Sequence, residues 1–443
     1  MTRHNQYHNV LSRAVRVIGM LVVTMAASHA ARVQTFTVLH TFTGGADGAN
    51  PFAGLTMDRA GNLYGTAAGG GISGNNTCLG DPYGGISCGT VFKLSHHSSS
   101  WIFETLYAFS GQPNGANPEA RVIIGPDGDL YGTTNLGGTG FCAPWGGCGT
   151  VFKLSPPPNF CASFSCPWRE TVLNSFAQDD GAYPQSADLV FDQQGNRYGT
   201  TPLGGSGYYL GPCGTGLVGG CGVIFELSPS GGGWTEDVLL NFDTVGGGGP
   251  ISYAYPYSGV TLDNAGNLYG TASAGGTGWG VVYKATLSGT SSILYSFPGG
   301  SDGAGPYGGL ISDGAGGLYG TTYGAGTNGG GTAFDLTPSN DGWTLNTLYS
   351  FSGGGGPLDT PLMDGAGNLY GTTYGDGAYG YGSIFKLSPS DGGWSYTSLH
   401  DFTGGSDGAY PYGGVVLDAN GNLYSTTSEG GSSGNGVVFE IAP

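Results

Sequence analysis

The sequence has few charged residues and very few basic ones. Asp, Glu, Lys and Arg make up 9% of its 443 residues; Lys and Arg number 12, Asp and Glu number 30, and the formal net charge is -18. Nucleic acids and anionic membranes both require a basic protein surface. We therefore expect neither as a partner, whereas cations and neutral ligands such as glycans are compatible with this charge.

Helical spacing and long hydrophobic runs are also missing from most of the chain. Beyond residue 30, no segment is apolar enough to span a bilayer, and none repeats its apolar residues at helical intervals. The apolar run 17–27 follows three arginines and precedes Ser28 and Ala30, small residues at the two cleavage-determining positions, which is the layout of a secretory signal peptide. We predict a signal peptide at 1–30 and a secreted extracellular protein, with a periplasmic or cell-surface location as the alternative. Removal of three arginines and no acid would change the formal charge from -18 to -21.

Signatures of catalysis and metal binding are scarce. Four histidines follow the predicted signal peptide, at His40, His96, His97 and His400, and no HExxH spacing occurs. The Gly-rich runs lack the Lys and the helix of a phosphate-binding loop. No Ser-His-Asp or Cys-His set is recognisable. We predict no metal, no cofactor and no catalytic residue, and we favour a protein that is not an enzyme.

The eight cysteines form four close pairs within Gly- or Pro-rich loops. In an exported protein, an even number at short spacings predicts disulfides. Zinc binding is the alternative, but the pairs lie in separate loops without nearby His. The predicted pairs are Cys78 with Cys88, Cys142 with Cys148, Cys161 with Cys166, and Cys213 with Cys221.

One phrase, Tyr-Gly-Thr or a near copy, occurs seven times, and it indicates a chain built from one repeated unit. Each copy belongs to four short segments rich in β-branched and aromatic residues and bounded by Gly, Pro, Asn or Ser, as β-strands are. The last segment ends in Leu-x-x-Phe, and in five copies it carries a Trp that we expect to pack between units. The seven tyrosines are Tyr64, Tyr131, Tyr198, Tyr269, Tyr319, Tyr370 and Tyr424.

Four antiparallel strands repeated seven times predict an all-β fold, a seven-bladed β-propeller. A solenoid is the alternative, although it would need shorter repeats and capping units. The segment 35–42 copies a fourth strand, and the chain ends on a copy of a third strand, so we expect 35–42 to complete the last blade and close the ring. We assign residues 31–443 to a single domain with blades at 43–110, 111–177, 178–243, 244–298, 299–352, 353–403, and 404–443 plus 33–42.

A Gly stands three residues before each repeated Tyr, and in six copies an Asp precedes that Gly by three. We expect the Gly to supply a positive φ and the Asp to accept backbone hydrogen bonds in the turn. These phrases, with D-x-x-G-N-L-Y-G-T-T, V-F-K-L and L-Y-S-F, resemble the GloVer tandem-repeat proteins of bacterial surfaces, described as choice-of-anchor proteins. Members often end in a sorting segment. This sequence ends at Ala442-Pro443 without a hydrophobic tail, so we expect free secretion.

Two sets of loop residues are candidates for ligand binding. Acids recur in Asp-Gly-Ala phrases, where a turn is the alternative role, and aromatic residues vary among the Gly-rich loops. Exposed aromatic rings beside acids and amides suit the apolar faces and hydroxyls of sugars, although such rings can also pack their own loops. The candidates are Asp47, Asp180, Asp302, Asp407, Trp145, Trp279, Tyr208 and Tyr209, with Tyr83, Tyr374, Tyr379 and Tyr381 as further loop aromatics.

These features favour a secreted, monomeric binding protein whose ligand is an extracellular glycan or a surface protein. A polysaccharide hydrolase or lyase that uses loop carboxylates is the first alternative, because such acids come from different blades and leave no local motif. A purely structural cell-surface protein is the second alternative, since propellers serve all three roles.

Overall fold

The structure, a computed structural model, describes residues 34–71, 87–98, 100–142, 146–158, 167–205, 213, 219–242, 254–340 and 342–443. Within these residues the one helical element is a 3-10 turn at Gly300–Asp302. The strands are β1 (Thr35–Thr41), β2 (Thr56–Met57), β3 (Leu63–Ala67), β4 (Thr90–His97), β5 (Ser100–Ala108), β6 (Ile123–Ile124), β7 (Leu130–Thr134), β8 (Thr150–Ser155), β9 (Arg169–Ser175), β10 (Val190–Phe191), β11 (Arg197–Thr201), β12 (Val223–Ser230), β13 (Gly233–Asn241), β14 (Thr261–Leu262), β15 (Asn267–Ala272), β16 (Val281–Thr286), β17 (Ser291–Ser296), β18 (Ile311–Ser312), β19 (Leu318–Thr322), β20 (Gly329–Ser339), β21 (Gly342–Ser352), β22 (Leu362–Met363), β23 (Leu369–Thr373), β24 (Ser383–Ser390), β25 (Gly393–Asp401), β26 (Val416–Leu417), β27 (Leu423–Thr427) and β28 (Val437–Ala442).

The strands form seven four-stranded antiparallel sheets, the blades of a seven-bladed β-propeller. Blades one to six take consecutive strands, from β2-β3-β4-β5 to β22-β23-β24-β25. Blade seven has the order β26-β27-β28-β1, so its outermost strand comes from the beginning of the chain. The first strand of each blade is short and lies next to the central axis, while the fourth alternates exposed and half-buried residues, as expected for a strand at the rim. The predicted fold is confirmed.

Closure of the ring rests on the pairing of β1 with β28. The register runs from Thr35 opposite Ala442 to Thr41 opposite Val437, with one irregularity between Val38 and His40. This pairing gives both chain ends a hydrogen-bonded neighbour and removes two open sheet edges. The predicted closure by 35–42 is therefore confirmed.

Seven equivalent aromatic contacts join the blades. In each, the Phe that ends the Leu-x-x-Phe phrase is fully buried and meets an aromatic ring on the third strand of the next blade. The centroid distances lie between 4.8 and 5.4 Å, in edge-on or tilted geometry. Buried rings of this kind each contribute roughly 1.5–3 kcal/mol by area alone. The pairs are Phe42–Phe92, Phe109–Phe152, Phe176–Phe225, Phe242–Tyr283, Phe297–Phe334, Phe351–Phe385 and Phe402–Phe439.

The Gly of Tyr-Gly-Thr makes room for the aromatic ring on the neighbouring strand. Gly320 lies directly opposite Phe334, and a Cβ on Gly320 would stand 2.6 Å from Phe334 Cζ and 2.8 Å from Leu310 Cδ2. Blade seven has Ser425 at this position, opposite Phe439, and its inner residue is the shorter Val415. The small residue is therefore a packing requirement of the blade.

The hairpin between the first two strands of each blade has the predicted turn chemistry. Gly61 has φ 81°, and Asp58 Oδ1 accepts hydrogen bonds from the backbone N–H groups of Ala60 and Asn62 at 2.9 Å. The equivalent Gly has a positive φ in all seven blades. In blade two, where Gly125 replaces the Asp, Asp127 accepts from the hydroxyl of Tyr131 at 2.7 Å instead. Gly geometry and Asp capping are thus confirmed.

Candidate functional site

One face of the disc carries two connections from every blade, and we call it the loop face. The first connection leads from the outer strand of one blade to the inner strand of the next; the second joins the middle two strands of a blade. Backbone bridges tie the two connections together. The bridges are Ala49 with Gly69, Ala116 with Leu136, Ala182 with Leu203, Ala304 with Gly324, and Ala409 with Glu429.

At the centre of the loop face, residues from all seven blades line one cavity, which we call the mouth. The lining residues lie just before the inner strands, in the stretch that follows Pro51 in blade one and its equivalents in other blades. The lining residues are Phe52, Ala53, Gly54, Glu119, Ala120, Arg121, Ser186, Asp188, Ser258, Tyr307, Leu358, Asp359 and Tyr412. A site built from seven separate positions leaves no local sequence motif.

Aromatic rings from five consecutive blades lie in or beside the mouth, and three of them, Phe52, Tyr307 and Tyr412, line it. Tyr307 packs against Tyr257 with ring centroids 5.2 Å apart, and Tyr412 packs against Phe52 at 5.2 Å. Tyr374 lies 4.9 Å from Tyr412. All five side chains are half-buried. Blades four to seven and blade one supply these rings.

Tyr323 connects the two parts of this set of rings. Its ring lies 5.8 Å from that of Tyr307. A Cβ on Gly355 would stand 3.2 Å from Tyr374 Cδ1 and 3.3 Å from the hydroxyl oxygen of Tyr323, so both tyrosines flank the same backbone. We use the name aromatic arc for the full set: Phe52, Tyr257, Tyr307, Tyr323, Tyr374 and Tyr412.

Blades two and three contribute polar groups where the aromatic arc ends. Glu119 is buried and accepts a hydrogen bond from Asn135 Nδ2 at 3.2 Å. Burial, then the neighbouring Tyr374 and Tyr323, and then the charge of Glu119 raise the pKa of Tyr412 to about 12. Tyr412 therefore keeps its proton near neutral pH.

The floor of the mouth is an ion cluster of Arg121, Asp188 and Asp359. Arg121 Nε lies 3.0 Å from Asp188 Oδ2, and Arg121 Nη2 lies 3.6 Å from Asp359 Oδ2. Burial raises the pKa of Asp188 to about 6, and the charge of Arg121 opposes that rise. Arg121 and Asp188 also line a second cavity beneath, among the inner strands, so the cluster separates the two. A charge removed from water at this depth requires such partners.

Hydrogen bonds fix the position of both carboxylates in this cluster. The backbone N–H of Arg121 donates to Asp188 Oδ1 at 3.0 Å, and that of Thr360 donates to Asp359 Oδ1 at 2.6 Å. The N–H of Gly414, from the next blade, donates to Asp359 Oδ2. The cluster is therefore a rigid floor that joins blades two, three, six and seven.

Large exposed aromatic side chains also gather on the loop face. Among the described residues, the exposed aromatics are Phe141, Trp279, Tyr379 and Tyr381, and all four lie in connections between middle strands. Trp279, a predicted candidate, is 55% exposed and stands beside the backbone of Gly299. The candidates Trp145, Tyr208 and Tyr209 and the further loop aromatic Tyr83 lie outside the described residues.

The four candidate acids lie in four different connections between blades, one in each. Asp47 accepts hydrogen bonds from the backbone N–H of Thr43 at 2.8 Å and pairs with His40 Nε2 at 3.2 Å. Asp407 makes the same contacts with Thr403 and His400. Asp302 accepts from the hydroxyl of Tyr295 at 2.5 Å. Each of these acids thus fastens the loop to its preceding outer strand.

Asp180, the fourth candidate acid, has a different environment. Its Oδ1 accepts from the backbone N–H of Ala177 at 2.7 Å. Burial, and then the charges of Asp180 and Asp237, raise the pKa of Glu236 to about 8. Burial likewise raises the pKa of Asp180. Within the part of the chain that the structure describes, no group of three or more His, Cys, Asp or Glu is placed to hold a metal ion.

Two of the predicted disulfides are confirmed, Cys142–Cys148 and Cys213–Cys221. Both lie on the loop face. Cys88 is disulfide-bonded, while its predicted partner Cys78 and the predicted pair Cys161 and Cys166 lie outside the described residues. No helix in the described ranges has the length and apolar character needed to cross a membrane.

Sequence reasoning named loop residues that lie on this face, Tyr374 among them, but it missed the centre of the mouth. Phe52, Tyr307, Tyr412 and Glu119 each directly follow a Pro in the loop before an inner strand. That shared offset was visible in the sequence. A comparison of the residue after this Pro across all blades identifies these four residues as equivalent positions.

Solved structures share the fold at low sequence identity. An ulvan lyase, a polysaccharide lyase PL25 bound to -[GlcA(1-4)Rha3S]-, matches with a TM-score of 0.53 and 12% identity over 90% of this chain and 94% of that chain. The extracellular domain assigned to a hybrid two-component system of B. thetaiotaomicron matches with a TM-score of 0.50 and 11% identity over 92% of this chain. This protein spans 40% of the length of that structure.

No curated protein matches this chain. Likeness to the two solved structures shows the fold alone, because propellers of one architecture have many activities. The family profile of the Gloeobacter/Verrucomicrobia repeat matches residues 28–211, 89–311 and 255–443. These ranges overlap and together span nearly the whole sequence, so the chain belongs to the Gloeobacter/Verrucomicrobia repeat family.

Proposed function

We propose that the protein is secreted and binds an extracellular glycan at the mouth of the loop face, without changing it chemically. The observation that carries this proposal is the aromatic arc, in which Phe52, Tyr307 and Tyr412 line a single cavity together with Glu119. Sugar rings have apolar C–H faces that pack on aromatic rings, and hydroxyls that need hydrogen-bond partners. The mouth offers both kinds of group within one site.

The outer loops extend this surface beyond the mouth. Phe141, Trp279 and Tyr379 are exposed aromatic side chains on blades two, four and six. Exposed rings distributed around a central cavity suit a polymer that crosses the face. The cavity volume of the mouth is about 20 Å³, so the mouth itself takes a small polar group of the polymer while the sugar rings lie on the surrounding aromatic side chains. The two confirmed disulfides brace loops on this face and agree with an extracellular location.

A polysaccharide hydrolase or lyase is the second candidate. Glu119, Asp188 and Asp359 line the same cavity, and the pKa of Asp188 is raised to about 6, chiefly by burial. A carboxyl group with a pKa near neutrality can give and take a proton in catalysis. Asp188 is, however, engaged by Arg121, and it must leave that ion pair to act on a substrate.

The experiment uses the chain from residue 31 onward against soluble and insoluble polysaccharides. Depletion of protein from solution and release of sugar products are recorded in the same tubes. We expect depletion without products. New reducing ends or unsaturated sugars would establish the second candidate, and no depletion by any polymer would reject glycan binding.

Variants connect the result to the mouth. Tyr412→Ala removes a ring of the aromatic arc and should weaken binding about tenfold or more, while Tyr412→Phe should keep most of it. Ile102→Ala is the matched control, because Ile102 is 52% exposed on the rim strand β5, away from the loop face. Equal loss in the control would show that the effect is not specific to the mouth.

A further inference from the structure

The charge of the loop face is strongly one-sided. The described residues of its fourteen connections contain ten Asp or Glu, one Arg, and no Lys or His. The first set of connections covers 42–55, 109–122, 176–189, 242–260, 297–310, 353–361 and 402–415, and the second covers 68–89, 135–149, 202–222, 273–280, 323–328, 374–382 and 428–436. The other Lys and Arg that the structure describes lie elsewhere.

The single Arg does not offset this charge for a ligand. Arg121 lies between the carboxylates of Asp188 and Asp359, at 3.0 and 3.6 Å, so its positive charge is already matched within the cluster. Glu119 adds a further negative charge at the wall of the mouth. An anionic sugar in the mouth would thus meet like charges, and its desolvated carboxylate or sulfate would have no free cation to pair with.

The aromatic arc favours positive charge for an independent reason. The face of an aromatic ring carries negative potential and attracts an ammonium group within about 6 Å of its centroid. Tyr307, Tyr412 and Phe52 line the cavity that Glu119 also lines. An ammonium ion binds well between aromatic faces and a carboxylate, because it gains cation–π attraction from the rings and a charge-assisted hydrogen bond from the carboxylate.

We infer that the glycan bound at the mouth is a polymer of amino sugars whose amino groups are free and protonated, such as a chain of glucosamine. This inference rests on the proposed function and specifies its ligand. The sugar rings pack on the aromatic arc, and an ammonium group lies in the mouth between the ring faces and the carboxylate of Glu119.

The test compares three hexasaccharides of equal length: glucosamine, N-acetylglucosamine and galacturonic acid. Binding to the chain from residue 31 onward is measured by calorimetry at pH 6, at low and at moderate salt, with EDTA present so that no divalent ion bridges acid to acid. We expect the glucosamine hexamer to bind about tenfold or more tighter than its N-acetylated counterpart, and the difference to shrink as salt screens the charges.

Two variants distinguish the mouth from general attraction between an acidic protein and a cation. Glu119→Gln removes one charge at the mouth, and Tyr412→Ala removes one ring. Each should weaken glucosamine binding, whereas Asp391→Asn, which removes one charge from an exposed turn on the opposite face, should not. Glucosamine binding that survives both mouth variants would overturn the inference.

The outcomes also separate this inference from the proposed function. Equal affinity for the glucosamine and N-acetylglucosamine hexamers would overturn the charge argument and leave glycan binding intact. Tighter binding of the galacturonate hexamer would likewise overturn it. Binding of none of these or of any polymer in the wider panel would reject the proposed function itself.

Discussion

The imidazole of His400 lies with Nε2 3.2 Å from Asp407 Oδ2, and this pair fastens a loop of the loop face to the outer strand before it. The same contact joins His40 to Asp47 in the next blade. Each imidazole also stacks on a Phe across a blade interface, His400 on Phe36 at 3.9 Å. The repeated acid thus links the loop, the strand and the interface, which accounts for its recurrence without a ligand.

Asp407→Ala should therefore lower stability and leave glycan binding unchanged. The substitution removes hydrogen bonds from the backbone and hydroxyl of Thr403 as well as the contact with His400. We expect a loss of about 1–2 kcal/mol in the free energy of unfolding, measured by chemical denaturation. Wild-type stability combined with lost binding would instead assign Asp407 to the ligand site.

Because the N-terminal strand closes the ring, we expect its blade interface to contribute as much to the free energy of unfolding as an interface between consecutive blades. Phe42→Ala removes the contact of Phe42 with Phe92, and Phe402→Ala removes the equivalent contact with Phe439. Both Phe are fully buried, so each change should cost about 3–5 kcal/mol in unfolding experiments. A near-zero cost for Phe42→Ala alone would show that the ring opens easily at this interface.

The repeats predicted the architecture because each blade repeats the same local packing. The number of strands, the Gly of each turn and the extra strand at 35–42 can all be recognised along the sequence. Each depends on neighbouring residues of the chain and not on contacts between distant residues. The mouth is different, because Phe52, Tyr307 and Tyr412 come together only when seven blades are arranged around one axis. Arg121 similarly acquires its partners from blades three and six. Each of these residues stands singly in a loop, and the Pro before Phe52, Tyr307 and Tyr412 is the one local mark that they share.

The small residue of Tyr-Gly-Thr gives a prediction about coupled packing. Gly320→Ala would place a Cβ 2.6 Å from Phe334 and 2.8 Å from Leu310, and overpacking of this kind costs about 1–3 kcal/mol. Blade seven accommodates Ser425 beside the shorter Val415, so Leu310→Val should relieve part of the clash. A double-mutant cycle measured by denaturation should show that Gly320→Ala costs less in the Leu310→Val background. Strict additivity would place the strain elsewhere.

Glu236 gives the protein a dependence of stability on pH. Its Oε1 is buried and has no hydrogen-bond partner among the described residues, and burial followed by the charges of Asp180 and Asp237 raises its pKa to about 8. A carboxyl group whose folded pKa exceeds its unfolded value of about 4.5 contributes stability below the unfolded value. That contribution is lost as the pH rises through about 8, when the folded protein must ionise a buried group.

Glu236→Gln should therefore raise the free energy of unfolding relative to the wild type at pH 9 but not at pH 4. We expect a gain of about 1 kcal/mol, since solvent screens the exposed part of the side chain. The free energy of unfolding of both proteins is measured by denaturation from pH 4 to 9. The difference between the two proteins is compared at each pH, because the titration of His40 and His400 contributes equally to both and cancels. Glu104→Gln, the same change at an exposed position on β5, should show no such trend. A difference that is constant with pH would mean that Glu236 ionises in the folded protein as freely as in the unfolded chain.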